Sequence, residues 1–380
     1  MNIAVYHPWI YLRGGIERTL VELVKRSRHR WSVFTNHYEP ENTFESLRHL
    51  NVTQLKPVSV KRTIPAVLAA GARLALQKLS LEGYDALVIL CDGLGDFLTF
   101  RHRSVPLFTI CFTPLRAAFD PVYETFAYGQ RSFRGRVAYK LFKAAFRRVD
   151  PLAWHRYDGV IAISHEVKRR IIGGGLYEDG PRIRVCYPGI DWQALEGDVT
   201  YEPTILVPGR IVWTKNLELT IQAFQKAHLP FPWRLVVAGF LDRKSYPYLE
   251  RLREIVGKEE KIGFVISPDD AQLAGLYRRT SLVCFPPLNE DWGLVPLEAM
   301  AFRKAVIANA RGGPLESILH GKTGYLLEPQ VETWAEAMRY LVENPRLVRM
   351  MGECGRQHVR KFDWSQFVHQ VDSTLEEWTA

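Results

Sequence analysis

Short apolar runs rich in β-branched residues alternate along the whole chain with stretches of helical period, the pattern of strand–helix units that build a parallel sheet. It predicts strands at Asn2–Tyr6, Trp31–Thr35, Ala86–Leu90, Leu107–Cys111 and Gly159–Ile163, with Arg182–Cys186 closing the first half. A helix over Glu17–Ser27 places Leu20, Leu23 and Val24 toward one face. The alternation restarts with a strand at Thr204–Val207, a helix at Leu217–Ala227, and strands at Arg234–Ala238, Ile262–Ile266, Ser281–Phe285 and Ala305–Ala308. Each half therefore has the material for one doubly wound α/β sheet. Tyr187-Pro188-Gly189 through Pro203, polar and punctuated by Pro and Gly, reads as the connection between them. One stretch departs from the scheme. Arg131–Arg148 reads as a basic amphipathic helix with Val137, Leu141, Ala144 and Ala145 on one face and Arg134, Lys140, Lys143, Arg147 and Arg148 supplying charge. Such a helix suits an anionic membrane surface, and equally suits the outside of a sheet.

Composition narrows the class. With 380 residues, 47% hydrophobic and 24% charged, the chain is of globular type and long enough for two domains. No apolar run approaches the ~18 residues of a membrane span. The opening MNIAVYHPW lacks a basic stretch followed by an apolar core, so no secretory signal is expected. Five scattered cysteines without a C-x-x-C argue against a disulfide framework or a zinc site, and for a cytoplasmic setting. The net charge of +9 is uneven: residues 1–190 hold 28 Lys and Arg against 16 Asp and Glu. A basic first half suggests an anionic partner.

The richest segment is Asn289-Glu290-Asp291-Trp292-Gly293-Leu294-Val295-Pro296-Leu297-Glu298-Ala299-Met300. It follows a strand and opens a helix, with Pro296 placed for a first turn. Gly293 permits close backbone approach, and the amides after it favour a phosphate. Glu290 and Glu298 would flank one pocket at a strand's carboxyl end, where open α/β sheets take ligands.

Glu290 and Glu298, eight positions apart around a Gly-Leu turn, resemble the E-x7-E motif of the retaining glycosyltransferase family 4. Pro208-Gly209-Arg210 followed by Lys215 resembles that family's G-R-x4-K element. Gly312-Gly313-Pro314-Leu315-Glu316 with Gly321-Lys322-Thr323-Gly324, Gly14-Gly15-Ile16-Glu17, and Pro188-Gly189-Ile190-Asp191 resemble further family stretches in the same order. The resemblance implies a GT-B fold: two Rossmann-like domains facing a central cleft. It assigns 1–190 to an acceptor-binding domain, 191–203 to the linker, 204–361 to a nucleotide-sugar donor domain, and 362–380 to a helix crossing back. It further implies that Arg210 and Lys215 stabilise the departing diphosphate with no metal or other cofactor. Glu290 would contact the donor sugar and Glu298 the ribose, with Gly293, Leu294 and Val295 lining the donor site. Gly14 and Gly15 would bring backbone to the diphosphate.

Ile110-Cys111-Phe112-Thr113-Pro114-Leu115-Arg116-Ala117-Ala118-Phe119-Asp120 is similar to a stretch of bacterial polysaccharide mannosyltransferases, and marks Phe112, Arg116 and Asp120 as acceptor- or sugar-side positions. That stretch carries a histidine where this chain has Phe112, which exchanges no proton. His7, at the end of the first strand, is a candidate substitute. At Arg303 and Ala305 the family usually has glycine and proline, so an altered turn is expected there. The implied activity is transfer of a hexose, with mannose from GDP-mannose as first choice and a UDP-linked donor open, to a lipid-linked or polysaccharide acceptor. The enzyme would sit peripherally on the cytosolic membrane face. The alternatives are a sugar-nucleotide epimerase, a synthase of the same fold, or a non-catalytic nucleotide-sugar-binding homologue. A nucleic-acid partner is disfavoured, because no recognised module is visible. A dinucleotide oxidoreductase is disfavoured too, because the Gly14-Gly15 loop lacks the G-x-G-x-x-G spacing.

Overall fold

The computed structural model describes residues 1–61, 63–91, 93–129, 132–195 and 197–380. The chain divides into two units, Met1–Pro188 with Trp364–Ala380, and Gly189–Asp363.

The first unit is built on seven strands: β1 Asn2–Tyr6, β2 Arg30–Thr35, β3 Val52–Gln54, β4 Ala86–Cys91, β5 Leu107–Cys111, β6 Gly159–Ala162 and β7 Ile183–Val185. They lie in the order β3-β2-β1-β4-β5-β6-β7, parallel throughout. Every residue of β4 and β5 is buried. This is why they read as unbroken apolar runs: a parallel strand covered on both faces has no polar side to alternate with. The strand β3 escapes the hydrophobic pattern because it has three residues and two are exposed.

The second unit repeats the plan with β8 Thr204–Pro208, β9 Arg234–Gly239, β10 Ile262–Ile266, β11 Leu282–Phe285, β12 Ala305–Asn309 and β13 Gly324–Leu327. Their order is β10-β9-β8-β11-β12-β13, again parallel. In both sheets the chain order reverses beside the first strand, between β1 and β4 and between β8 and β11. Successive crossovers leave in opposite directions there, and a crevice opens at the strands' carboxyl ends.

The helix after β1, α1, spans Gly15–Arg26 and buries Leu20, Val21 and Leu23. The basic segment forms α2, Phe133–Trp154, with Arg131 lying outside the described residues. Its inward face differs from the one the pattern suggested. Tyr139, Phe142, Phe146, Asp150, Ala153 and Trp154 are buried, whereas Val137 and Leu141 are 45% and 66% exposed. Aromatic rings bury far more area than Val or Ala, so the face that carries them turns to the core. Among the described residues no helix is long and apolar enough to cross a membrane.

The last helix, Trp364–Thr379, belongs to the first unit. Asp372 accepts from Ser27 Oγ at 2.7 Å and from the Arg28 amide at 3.0 Å, and Arg28 Nε donates to Glu376 at 2.7 Å. Trp378 lies so close over Gly159 that a Cβ there would stand 2.4 Å from the indole.

Residues 200–202, in the expected linker, are fastened within the second unit. The Thr200 and Glu202 amides donate to Arg278 O and Arg279 O at 2.9 and 2.8 Å. Lys304, fully buried, donates to Thr200 O at 2.6 Å and Arg278 O at 3.0 Å, with its ammonium 4.2 Å from the centre of the Tyr201 ring. Beside it Arg303 holds a left-handed backbone, φ 55°, and its carbonyl accepts from Tyr201 OH at 2.9 Å. Glycine adopts that conformation without steric cost and arginine does not, so the turn keeps a geometry suited to glycine with a larger residue in it.

Burial, with Arg303 nearby, pulls the Lys304 ammonium down from 10.5 to about 8. Between those values the unfolded chain binds the proton more tightly than the folded one, so this group makes stability rise with pH across that window. Lys304→Met is expected to remove that rise. Urea midpoints at pH 8 and pH 10 should show the wild type gaining on the variant as pH increases; a gap that stays constant or narrows refutes the assignment.

Candidate functional site

In the second unit the site is assembled at the ends of β8, β11 and β12. The chain leaves β8 through Gly209, whose amide donates to Ala238 O at 3.0 Å, and Arg210 follows as an exposed side chain. The approach to β9 is tight: a Cβ on Gly239 would lie 1.6 Å from Gly209 O. One short turn, Trp213–Lys215, brings the chain to the helix Leu217–Ala227. Lys215 then reaches across to the β11 loop. Its Nζ donates to Glu290 Oε2 at 2.6 Å and stands 5.6 Å from the centre of the Phe285 ring, with the two ionic side chains only 16% and 19% exposed.

The β11 loop is held from behind by β12. Asn309, 1% exposed, donates through Nδ2 to Pro286 O and Pro287 O at 2.7 and 2.8 Å. Glu290 pairs through its backbone with Gly312, and the Gly313 amide donates to Glu290 O at 2.9 Å. Both glycines are needed for steric reasons. A Cβ on Gly312, where φ is 68°, would come 2.1 Å from Glu290 O, and one on Gly313 would come 2.3 Å from the Trp292 backbone.

Gly293, at φ 93°, turns the chain into the helix Leu294–Ala301. Leu294 and Val295 lie half-buried in its first turn, and Glu298 follows one turn later. Glu298 Oε2 accepts from Tyr277 OH at 2.8 Å, and the Tyr277 ring stacks on Phe302 with centres 5.2 Å apart. Burial first, then the Glu298 carboxylate, holds the Tyr277 phenol well above its usual range, so it stays a donor. At the ends of β8 and β11 the described residues therefore bring together Lys215, Arg210, two carboxylates and the amino end of an eight-residue helix. Anionic and hydroxyl-rich ligands suit such a set.

The first unit places its predicted residues differently. His7 is 3% exposed just after β1, and its Nδ1 donates to Leu90 O at 3.0 Å. Gly14 precedes α1 with ordinary negative φ, and the space a Cβ would need is taken by the Glu17 carboxylate, 2.6 Å away. Nothing would crowd a Cβ on Gly15. Phe112 is buried, its amide donating to Cys91 O at 2.9 Å. Asp120 Oδ1 caps the helix Pro121–Gly129 by accepting from the Val122 and Tyr123 amides, and Arg116 lies 3.7 Å from its other oxygen. Thr323 of the Gly-Lys-Thr-Gly stretch likewise has a structural part: its Oγ1 accepts from the Leu319 amide at 3.0 Å ahead of β13.

Sequence reasoning did not single out Tyr277 or Asn309. Nothing local marks the tyrosine, whereas a lone amide ending the apolar strand Ala305–Asn309 was a readable signal. Among the described residues no group of three or more His, Cys, Asp or Glu is arranged to hold a metal ion.

Two family profiles divide the chain between them: that described as Glycosyltransferase Family 4 matches residues 13–193, and that described as Glycosyl transferases group 1 matches 193–358. Alpha-1,3/1,6-mannosyltransferase ALG2 of Rhizomucor pusillus is 26% identical over 99% of this chain and 92% of its own. Its human counterpart is 26% identical over 97% and 94%. Among solved structures, HepE of Anabaena in complex with UDP and glucose superposes with a TM-score of 0.75 at 20% identity, covering 99% of this chain and 100% of that one. That likeness shows the GT-B fold.

The loop clasp has a direct test. Gly312→Ala meets both a left-handed φ and the Glu290 carbonyl, so it should lose ~2–4 kcal/mol from strain and overpacking together. Gly321, at φ 74° with nothing within 4 Å of a Cβ, should lose only the ~1–2 kcal/mol backbone part on substitution by alanine. Chemical denaturation of both variants compares them; equal losses would mean that the clasp carries no strain.

Proposed function

The chain belongs to the glycosyltransferases of family 4 and group 1, and from that premise we propose that it transfers mannose from GDP-mannose to a lipid-linked acceptor, with retention of anomeric configuration and without a metal. The observation that carries this reading is the Lys215–Glu290 pair, 2.6 Å apart at the chain reversal between β8 and β11. In this reading the donor's diphosphate lies at the amino end of Leu294–Ala301, among the first-turn amides of Leu294 and Val295. Arg210 and Lys215 bind it. Arg210 offers a planar fork to two oxygens and Lys215 a compact charge. As the glycosidic bond breaks, negative charge grows on the leaving phosphate, and these fixed cations stabilise it more than they stabilise the intact donor. Glu298, oriented by Tyr277, accepts from the ribose hydroxyls, and Glu290 from those of the sugar. With the leaving phosphate accepting the acceptor's proton, Phe112 costs no catalytic group.

Mannose and the lipid-linked acceptor are favoured by the mannosyltransferase relatives, which align along nearly the whole chain. A UDP-linked sugar is the alternative donor. The cytosolic membrane face is favoured by the charge of residues 1–190 and by α2, which exposes cations beside Leu141 and Leu152. The test is nucleotide release from GDP-mannose with and without a prenyl-phosphate-linked sugar. Acceptor-dependent GDP release with an α-linked product supports the reading. An epimerase would convert the donor with no net release, and a binding homologue would show a melting-point rise without turnover.

Arg210→Ala and Lys215→Ala should each lower turnover at least tenfold with the fold intact, since removing one such electrostatic donor typically costs ~3 kcal/mol. Wild-type rates in both would sink the assignment.

The two glutamates should separate by ligand. Glu298→Ala weakens binding of bare GDP, by ~1–3 kcal/mol for a lost charged hydrogen bond. Glu290→Ala spares bare GDP, because it leaves Arg210 and Lys215 in place, but impairs sugar transfer. Calorimetry with GDP and with GDP-mannose checks both; equal or reversed effects would exchange the roles.

A further inference from the structure

Between the helix Ile64–Leu76 and α2 the first unit has an apolar groove of about 210 Å³. Its walls include Leu68, Ala72 and Ala75 from one helix, Phe142 and Val149 from the other, and Phe97 at the floor. The mouth is unusual for a surface. Leu68 is 57% exposed, Leu76 66% and Leu152 59%. Leu68, Ala72 and Leu76 recur at i, i+4 and i+8, and Phe142, Ala145, Val149 and Leu152 follow the same helical period, so each helix turns an apolar edge toward solvent beside the groove. Exposed apolar surface of this extent on a soluble domain marks a binding site.

Charge identifies the occupant. The two helices that wall the groove, Ile64–Leu76 and α2, contain seven Lys and Arg and a single acid, the buried Asp150. Arg148 falls on the same helical face as Leu141, Ala145 and Leu152, and it is exposed. A slot lined with hydrocarbon and edged with cations complements a molecule that joins a hydrocarbon chain to a phosphate. At the groove's inner end Phe146 stands 5.6 Å from Phe97 and 6.4 Å from Phe119, which lies in the 110–120 segment assigned to the acceptor or sugar side.

We infer that this groove takes the phosphate-proximal part of the acceptor's hydrocarbon chain, so that the enzyme holds the lipid as well as the sugar it extends. The inference rests on the lipid-linked acceptor proposed above. It divides acceptor recognition in two. The chain contributes affinity through the groove, and the sugar contributes alignment elsewhere.

The probe is farnesyl phosphate, titrated into the full-length protein by calorimetry below its micelle concentration, with inorganic phosphate alongside. Farnesyl phosphate should bind and phosphate should not. Ala72→Trp and Val149→Trp, filling the groove from opposite walls at exposed positions, should each weaken binding at least tenfold. Ala69→Trp, exposed on the same helix but outside the groove, should not. In turnover, the groove variants should raise KM for a prenyl-linked acceptor tenfold and leave KM for a water-soluble acceptor with the same sugar unchanged. Equal KM changes for both acceptors overturn the inference, as does farnesyl phosphate binding that survives both groove variants. If the groove variants instead lose binding to phosphatidylglycerol vesicles and keep farnesyl phosphate, the face docks on a bilayer and the chain site is wrong. Binding that follows the pattern while no acceptor is glycosylated leaves the groove standing and removes the proposed function.

Discussion

The candidate site depends on two loops whose backbones touch. Glu290 is bridged to Gly312, and its carbonyl accepts from Gly313, at a separation that no side chain on Gly312 would allow. Because β11 and β12 are adjacent and parallel, their carboxyl ends arrive side by side, and the contact ties the two loops where they leave the sheet. Asn309 adds a second tie at Pro286 and Pro287. Glu290 is thus fixed at its own backbone, and Lys215, coming from the β8 side, meets a carboxylate that does not have to be ordered first. Preorganisation of this kind lets a charge act on a ligand without the protein reorganising at the moment of reaction.

The Lys215–Glu290 pair also bears on what the site does without a ligand. Both side chains are largely covered, and a half-buried ammonium without a partner would be costly. Pairing keeps Lys215 oriented. On the proposed reading the diphosphate is held by Arg210 and Lys215 together, while Glu290, bound to Lys215 through Oε2, keeps its other oxygen for the sugar's hydroxyls, so one pair would serve both halves of a sugar nucleotide.

The legible parts of this molecule are those with a local cause. The central strands were readable because burial on both faces leaves an unbroken apolar run: Leu107–Cys111 falls where the pattern put it, and Leu282–Phe285 within one residue of it. The strands at Val52–Gln54 and Gly324–Leu327 were missed: the first is short and mostly exposed, the second partly hidden inside a glycine-rich turn. The face of α2 was misread because the pattern weighed Val137 and Leu141 equally with Phe142 and Phe146, although the aromatic pair buries more surface. At the site, the glutamates, Arg210 and Lys215 were legible through their resemblance to a family. Tyr277 was not, since its hydroxyl finds Glu298 through tertiary packing, 21 positions away in sequence. The burial of Lys304 was equally hidden, because its two carbonyl partners come from segments far apart in the chain.

The two units share a topology but not a chemistry, and the contrast is informative. At the reversal of the second sheet charged side chains gather: Arg210 is exposed, and the paired Lys215 and Glu290 are largely covered. At the reversal of the first sheet, His7 donates to Leu90 O, Phe112 packs into the core, and the nearby acid Asp120 serves as a helix cap. What the first unit presents outward is hydrocarbon beside cations, on Ile64–Leu76 and α2. A polar sugar gains little from such a surface, because its hydroxyls would lose water without finding partners. An amphiphile gains on both counts, through apolar area removed from water and through phosphate–cation pairing. The same parallel scaffold thus gathers charged side chains at the strand ends of one unit and carries an amphiphilic surface on the covering helices of the other.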